Sequence, residues 1–139
     1  MNDADFQECK GCLCFAARRV ARGVTQHYDT QLRGSGLRAT QFTLLTYLIL
    51  AGSSPINAVA DYLGVERTTL TRNLKPLLAL GHIRVESGAD RRVKLVSITA
   101  AGRAAAADAL PQWRKAQKAM SRRLGPAALQ ELASAAGGS

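Results

Sequence analysis

The feature that most constrains this chain is the spacing of three residues within segment 56–80, which reads INAVADYLGVERTTLTRNLKPLLAL. Ala60 lies where two short helices would cross, and only a small side chain permits close approach there. Gly64, four residues later, gives the intervening turn its backbone freedom. Leu70, six residues further, would pack the second helix back onto the first. The pattern predicts a helix-turn-helix, with helices over about 55–62 and 67–80.

The second of these helices has two chemically different faces. On a helical wheel, Leu70, Leu74 and Leu77 point one way. The other face and its shoulders carry hydroxyl groups and cations, from Arg67, Thr68, Thr69, Thr71, Arg72 and Lys75. Arg can bond guanine bidentately, Thr can meet a base or a thymine methyl, and Lys75 and Arg67 could equally bind phosphates. This face suits a helix that reads the major groove; the alternative is an ordinary solvated face. Pro76 predicts a bend after the reading residues.

The sequence period then changes from helical to two. Residues 82–86 and 94–98 alternate as strands do, and the polar segment 87–92 between them predicts a hairpin tip. Such a tip can lie along DNA and place a guanidinium in the minor groove. We expect Asp90 to pair with Arg92 and orient it, with Arg91 or Arg92 at the groove. The alternative is an ordinary charged turn.

The overall composition favours a polyanionic partner. Nineteen Lys and Arg against ten Asp and Glu give a net charge of +9, and 47% of the 139 residues are hydrophobic, enough for a core. No apolar run approaches the roughly 18 residues that span a bilayer, and the first five residues are acidic where a secretory signal would be basic. We therefore expect a cytoplasmic protein with no membrane partner. No set of residues has the spacing of a catalytic site, so we expect the protein not to be an enzyme and to need no cofactor.

The remaining segments predict further helices. Residues 6–33 form one, with an apolar stripe of Leu13, Ala17, Val20 and Val24; an uncharged helix follows at 40–51. Ser54 is expected to cap the next helix, with Pro55 at its first position. Thr99 is expected to cap a helix that runs to about 124, kinked at Pro111, before a short helix at 127–136 and a frayed 137–139. The order is α-α-α-α-β-β-α-α.

Two of these helices predict a dimer. The stripe on 6–33 and the pair Leu110 and Trp113 would be left partly bare by a DNA-binding core of this size. Two-fold pairing would also place two reading helices about one DNA turn apart, ~34 Å. The alternative is that the stripes pack within one chain.

The segments LGVERTTLTRNLKPLLALGHIRV and DRRVKLVSITAAGR resemble the MarR (multiple antibiotic resistance regulator) family, as does YDTQLRGSGLRATQF at the end of the first helix. The resemblance implies a mainly α (α+β) winged helix-turn-helix. It implies that residues 1–34 and 100–139 form a helical dimerisation domain and that 35–99 bind DNA. It also implies a homodimeric regulator of transcription, more often a repressor than an activator, that binds a double-stranded, pseudo-palindromic operator and is released by a small phenolic molecule or an oxidant. Arg38 stands where the family usually has a capping Thr, so Thr40 is expected to cap the 40–51 helix. The segment after Gly125 is short and rich in alanine.

Three cysteines, Cys9, Cys12 and Cys14, cluster at the start of the first helix. They are weak metal ligands, because the pattern lacks a second half and both histidines are distant, so we expect no metal site. They could be buried small hydrophobes or redox-sensing thiols, whose pKa falls near a helix N-terminus. Cys14 resembles the reactive Cys of the family's peroxide-sensing branch. Tyr28 resembles the tyrosine that this branch has fourteen residues after that Cys, whereas Arg18 stands where the branch usually has a second tyrosine, four residues after it. On a helix Cys12 and Cys14 would point about 200° apart, so any disulfide is expected to join subunits.

An effector, if one binds, is expected between the terminal helices and the DNA-binding lobe. An anionic aromatic molecule would find candidate partners in Arg18, Arg22, Tyr28 and Arg38, although these could equally be surface charges or interdomain ion pairs. Two alternatives to an effector-controlled regulator remain, a thiol-based regulator that uses Cys14 and a protein-interaction module that does not bind DNA. Salt would separate the last from the others, since operator binding weakens steeply with salt.

Overall fold

A computed structural model of the chain describes residues 2–137. Six α-helices and three strands follow a 3-10 helix at Asp3–Gly11, and a second 3-10 turn spans Arg33–Ser35. The helices are α1 (Leu13–Leu32), α2 (Ala39–Ala51), α3 (Ile56–Leu63), α4 (Arg67–Ala79), α5 (Ala100–Leu124) and α6 (Ala128–Ala135). The strands are β1 (Ser54–Pro55), β2 (Ile83–Ser87) and β3 (Lys94–Ile98). The predicted mainly α winged helix-turn-helix is confirmed, while the predicted fraying of Gly138 and Ser139 falls outside the described residues.

The core lies between α2, the helix-turn-helix, the sheet and α5. The uncharged α2 contributes Leu44, Leu45 and Leu48, which are fully buried. From α4 come Leu70, Leu74 and Leu77, and Ala60 on α3 is buried where the two helices pack. Gly64 has the left-handed φ of 69° that the turn requires. The three-residue spacing therefore predicted the helix-turn-helix correctly.

The sheet has three strands, in the order β1-β3-β2, and all pairs are antiparallel. The predicted hairpin is present, with Val85 opposite Val96. The prediction that Ser54 caps the next helix and Pro55 begins it is wrong: Ser54 pairs with Val96 in β1, and its hydroxyl donates to the Gly52 carbonyl at 2.9 Å. Extended backbone at Pro55, with ψ of 146°, completes the strand, so α3 begins at Ile56.

The predicted single helix over 6–33 is divided at Cys12. Its backbone is extended, with ψ of 115°, and separates the 3-10 helix from α1. Cys12 acts as the N-cap of α1, since its Sγ accepts a bond from the Phe15 amide at 3.5 Å. A cysteine was not expected at a cap, where short oxygen-bearing side chains are preferred.

Helix α2 also begins two residues earlier than a Thr40 cap would require. Arg38 is the N-cap residue, and its amide donates to the Gln41 side chain at 2.9 Å. The Ala39 amide donates to the Asp29 carboxylate of α1 at 2.7 Å. The prediction that Thr40 caps α2 is therefore wrong, because the Gln41 and Asp29 side chains accept from the amides at the start of the helix.

The start of α5 is fixed against the turn that follows α4. Thr99 caps α5 as predicted, since its hydroxyl oxygen accepts from the Gly102 amide at 3.1 Å, and the same hydroxyl donates to the Gly81 carbonyl at 2.6 Å. The Thr99 amide donates to the His82 carbonyl at 3.0 Å. Helices α4 and α5 continue through Pro76 and Pro111 respectively; the bends predicted at these prolines stay predictions.

Helix α1 packs on α5 through its second half only. His27 Nε2 lies 3.1 Å from the Ala116 carbonyl, and the Tyr28 hydroxyl donates to Gln117. Every residue of α1 from Leu13 to Gly23 is exposed. The exposed apolar side chains of the terminal helices include Leu13, Phe15, Val20, Leu129 and Leu132.

Candidate nucleic-acid interface

Helix α4 presents a polar face opposite its buried leucines. Arg67, Thr68, Thr71, Arg72 and Lys75 are exposed and Thr69 is half-buried, while the i, i+4, i+7 leucines below them anchor the helix. The Thr71 hydroxyl donates to the Arg67 carbonyl at 2.9 Å, so its proton is engaged within the helix. Glu66, the N-cap, is the one carboxylate beside this face on α4 and its cap. The face therefore offers mainly donors, as base edges and phosphates require.

The tip of the wing is ordered by its own hydrogen bonds. The Gly88 amide donates to the Val93 carbonyl at 2.8 Å, and the Val93 amide donates to the Asp90 carbonyl at 2.9 Å. These bonds close the loop between β2 and β3 and hold three charged residues, Asp90, Arg91 and Arg92, at the end of the hairpin.

Asp90 and Arg92 form the predicted pair. The Asp90 carboxylate accepts from the Arg92 amide at 3.0 Å, and from Nε and Nη2 of the guanidinium at 3.3 Å each. The Arg92 amide, and after it the guanidinium, lowers the pKa of the Asp90 carboxyl below its ordinary value. Arg91 is exposed and has no ion-pair partner among residues 2–137. One arginine of the tip is thus held and the other is free.

The start of α4 and the wing lie beside each other. Arg67 and Arg92 line one cleft of about 70 Å³, together with residues at the beginnings of α3 and β3. The structure therefore brings the predicted reading helix and the predicted wing together on one side of the protomer.

The four candidate effector residues are not brought together. Tyr28 lines a cavity of about 240 Å³ between α1, α2 and α5, with Trp113 and Gln117, and a second, more apolar one of about 310 Å³ toward α6. Burial raises the pKa of the Tyr28 hydroxyl. Arg38 lines a different cavity, of about 540 Å³, with Arg33 and Asp29. Arg18 and Arg22 are exposed on α1 and line none of these three. The expected common site for an anionic aromatic molecule is therefore not assembled within one protomer.

All three cysteines are exposed, so the interpretation of them as buried hydrophobes is wrong for the protomer. Because Cys12 lies before the first turn of α1, the 200° helical separation from Cys14 does not apply to this pair. Among residues 2–137, no three His, Cys, Asp or Glu side chains are grouped as metal ligands would be. The same residues include no helix with the length and apolar character needed to cross a bilayer.

Comparison with known proteins identifies relatives that share this fold. The family model for the MarR family matches residues 35–93, which contain the helix-turn-helix and most of the wing. The M. tuberculosis transcriptional regulator MosR, in a crystal structure with DNA, is 43% identical, with a TM-score of 0.81 over 88% of this chain and 92% of that one. A MarR variant from E. coli complexed with operator DNA is 21% identical, with a TM-score of 0.80 over 94% of this chain and 96% of that one, a likeness of fold.

A curated relative is the HTH-type transcriptional regulator YwoH of Bacillus subtilis (strain 168). It is 34% identical over 87 residues, 63% of this chain and 64% of YwoH, so this chain spans less than two thirds of that relative. The relatives are transcriptional regulators and not enzymes, and MosR shares the fold described above. The chain belongs to the MarR family of winged helix transcriptional regulators.

Proposed function

We propose that this chain is a homodimeric transcriptional repressor that binds a pseudo-palindromic operator in double-stranded DNA and is released by a small-molecule effector. The observation that carries the proposal is the cleft at which the cationic start of α4 adjoins the arginine tip of the wing. A relative of 43% identity crystallised with DNA supports it.

In this proposal the two elements have different tasks. Thr68, Thr69, Thr71, Arg72 and Lys75 enter the major groove and Arg67 lies at its edge, while the wing carries Arg91 or Arg92 to the neighbouring minor groove. Asp90 limits the motion of Arg92 through three hydrogen bonds, so less side-chain entropy is lost on binding.

The dimer is proposed to form through residues 1–34 and 100–139, leaving 35–99 to bind DNA. Exposed apolar side chains in α1 and α6 support this division, because a monomer would leave Leu13, Leu129 and Leu132 in water. One helix-turn-helix makes only a few base contacts, and two copies double that number.

The effector is proposed to be a small aromatic molecule in the cavity of about 240 Å³ beside Tyr28, Trp113 and Gln117. This cavity lies between the helices proposed for dimerisation and α2 of the DNA-binding lobe, so an occupant would contact both. Its lining residues include no arginine in the described chain, which favours a neutral phenol over the anionic molecule that the sequence suggested.

The test is selection of bound sequences from random double-stranded DNA, followed by affinity measurements at several salt concentrations. We expect a two-fold symmetric consensus and an affinity that falls steeply with salt. Binding of every sequence alike, or no dependence on salt, would contradict the proposal and favour a protein-interaction module.

A second candidate function is thiol-based sensing, favoured by the exposure of Cys9, Cys12 and Cys14 within six residues of chain. A peroxide would oxidise the Cys14 thiolate to a sulfenic acid, with its O–O bond broken and water or an alcohol leaving. A second thiol could then displace water and form a disulfide. We propose Cys14 as the first site because it lies in the first turn of α1, with Arg18 one turn away.

Peroxide treatment of the protein bound to the selected operator tests this candidate. Oxidant is expected to release DNA from the parent and from Cys9→Ser but not from Cys14→Ser, and non-reducing electrophoresis identifies any disulfide between subunits. Unchanged operator affinity while all three thiols remain accessible would exclude thiol sensing.

A further inference from the structure

The cleft between α4 and the wing lies where a DNA backbone must pass. The major and minor grooves of B-DNA are separated by a sugar-phosphate strand. A protein with one element in each groove therefore places that strand between the two elements. Here the residues between them are the first turn of α3, the start of α4 and the start of β3.

The side chains that line this cleft are those that phosphate binding requires. Arg67 contributes a cation from α4, Arg92 and Lys94 contribute cations from the wing, and Asn57 contributes an amide that can donate. Within the described chain its lining includes no carboxylate. Lys94 Nζ donates to Ser87 Oγ at 3.1 Å across the hairpin, which holds the ammonium at the last strand pair before the wing tip.

Size and helix geometry agree with this chemistry. The cleft measures about 70 Å³, less than a third of the volume of the cavity beside Tyr28, so it can hold one group of a larger ligand. Asn57 lies in the first turn of α3, and the preceding Pro55 provides no side-chain acceptor for the amides of that turn. Those amides add positive potential at the same edge of the cleft.

We propose that this phosphate cleft, formed by Asn57, Arg67, Arg92 and Lys94, holds one backbone phosphate of the operator in each half-site. It adds Asn57 and Lys94 to the interface. It also assigns Arg67 and Arg92 to a backbone phosphate, which leaves Arg91 as the arginine at the minor groove. Such a contact fixes the register of the protein on the duplex without reading sequence. The inference rests on the proposed function, because the phosphate belongs to bound DNA.

The experiment uses the operator selected by the parent protein, with one phosphate at a time replaced by an uncharged methylphosphonate. One linkage in each half-site is expected to weaken binding by the parent about tenfold. Lys94→Ala is expected to lose most of that linkage-specific penalty, whereas Lys94→Arg keeps it. The salt slope of Lys94→Ala is expected to be shallower by about 1 for each phosphate that the variant no longer neutralises.

A matched pair of charge changes gives an independent arm. Asn57→Asp places a carboxylate in the phosphate cleft with almost no change of shape and is expected to weaken operator binding at least tenfold. Leu50→Glu makes the same change of net charge at the exposed end of α2, outside both the proposed dimer interface and the phosphate cleft, and is expected to bind as the parent does. Thermal melting of all variants measures whether they are folded.

The outcomes separate the two proposals. If the parent selects an operator but Lys94→Ala retains the full methylphosphonate penalty at every linkage, or Asn57→Asp binds like Leu50→Glu, the phosphate cleft is wrong and the proposed function stands. If the parent selects no DNA, the proposed function itself fails. A penalty that disappears in Lys94→Ala and persists in Lys94→Arg supports the phosphate cleft, even if Asn57→Asp does not fold.

Discussion

Arg72 and Arg91 carry the same charge, but their positions in the fold give them different tasks. Arg72 projects from the middle of the polar face of α4, one turn from Thr68 and Lys75. Arg91 is exposed at the tip of the hairpin without an ion-pair partner in residues 2–137. A guanidinium at a base edge distinguishes sequences, whereas one at a narrow groove responds to backbone potential.

Changing Arg72 to Ala is therefore expected to cost about 1–3 kcal/mol of operator binding and to relax the sequence preference. Changing Arg91 to Ala is expected to weaken binding to most sequences alike. Affinities for the selected operator and for single-base variants of it measure both effects. Tight, fully selective binding by Arg72→Ala would show that α4 is not the reading helix.

The packing around Gly102 leaves no room for a side chain at this position. A Cβ at this position would lie 2.1 Å from the His82 carbonyl oxygen and 2.8 Å from the Ile98 side chain. Gly102→Ala is expected to lower the free energy of unfolding by about 3 kcal/mol or more, because the obstructing atom belongs to backbone. Gly34→Ala, where nothing lies within 4 Å of the new Cβ, is the control. Equal melting temperatures for the two variants would contradict the packing.

The hydroxyl of Thr99 connects two elements at once, α5 and the turn after α4. It accepts from the Gly102 amide and donates to the Gly81 carbonyl. Thr99→Ala is expected to cost about 1–2 kcal/mol of stability, while Thr99→Ser, which keeps the hydroxyl, retains most of it. Chemical denaturation of the three proteins measures this. Similar stabilities for Ala and Ser would mean that the hydroxyl contributes little.

The wing tip depends on the ionisation of Asp90. Because the Arg92 amide and guanidinium lower the pKa of this carboxyl in the folded protein, the pair's contribution is fully present above the ordinary carboxyl pKa of about 4. It is lost as pH falls through the lowered folded value. The NMR shift of the Arg92 Nε–H is expected to change with pH, with a midpoint below the ordinary carboxyl pKa. Asp90→Asn is expected to abolish this titration; a midpoint at the ordinary value would contradict the pairing.

Elements with strong periodicity were predictable from sequence, and those fixed by long-range contacts were not. The leucines of α4 and the alternation of β2 and β3 appear in the sequence as periods of 3.6 and 2. Strand β1 has two residues, one of them proline, so no period indicated it. The break at Cys12 was missed because neither Gly11 nor Cys12 marks a helix start. The phosphate cleft was missed because Asn57, Arg67 and Lys94 meet only after three segments fold together.

At the scale of the whole molecule, the apolar surface of α1 and α6 exceeds what a monomer needs. Leu129 is 76% exposed on α6, and Leu50, at the end of α2, is 87% exposed outside the terminal helices. Leu129→Glu is expected to yield monomers, because the charge would be buried in the proposed interface, whereas Leu50→Glu is expected to leave the dimer intact. Light scattering with operator titration measures both. A dimeric Leu129→Glu protein would place the interface elsewhere.

The junction of Gly81, His82, Thr99 and Gly102 also determines how motion passes through the molecule. Two hydrogen bonds from Thr99 and a backbone contact at Gly102 fasten the first turn of α5 to the residues that follow α4. Because of these contacts, a rotation of α5 is expected to move α4 with it. In the proposed dimer, a small change in the angle between the two α5 helices would therefore alter the distance between the two α4 helices. That distance determines which half-site spacing the protein can bind.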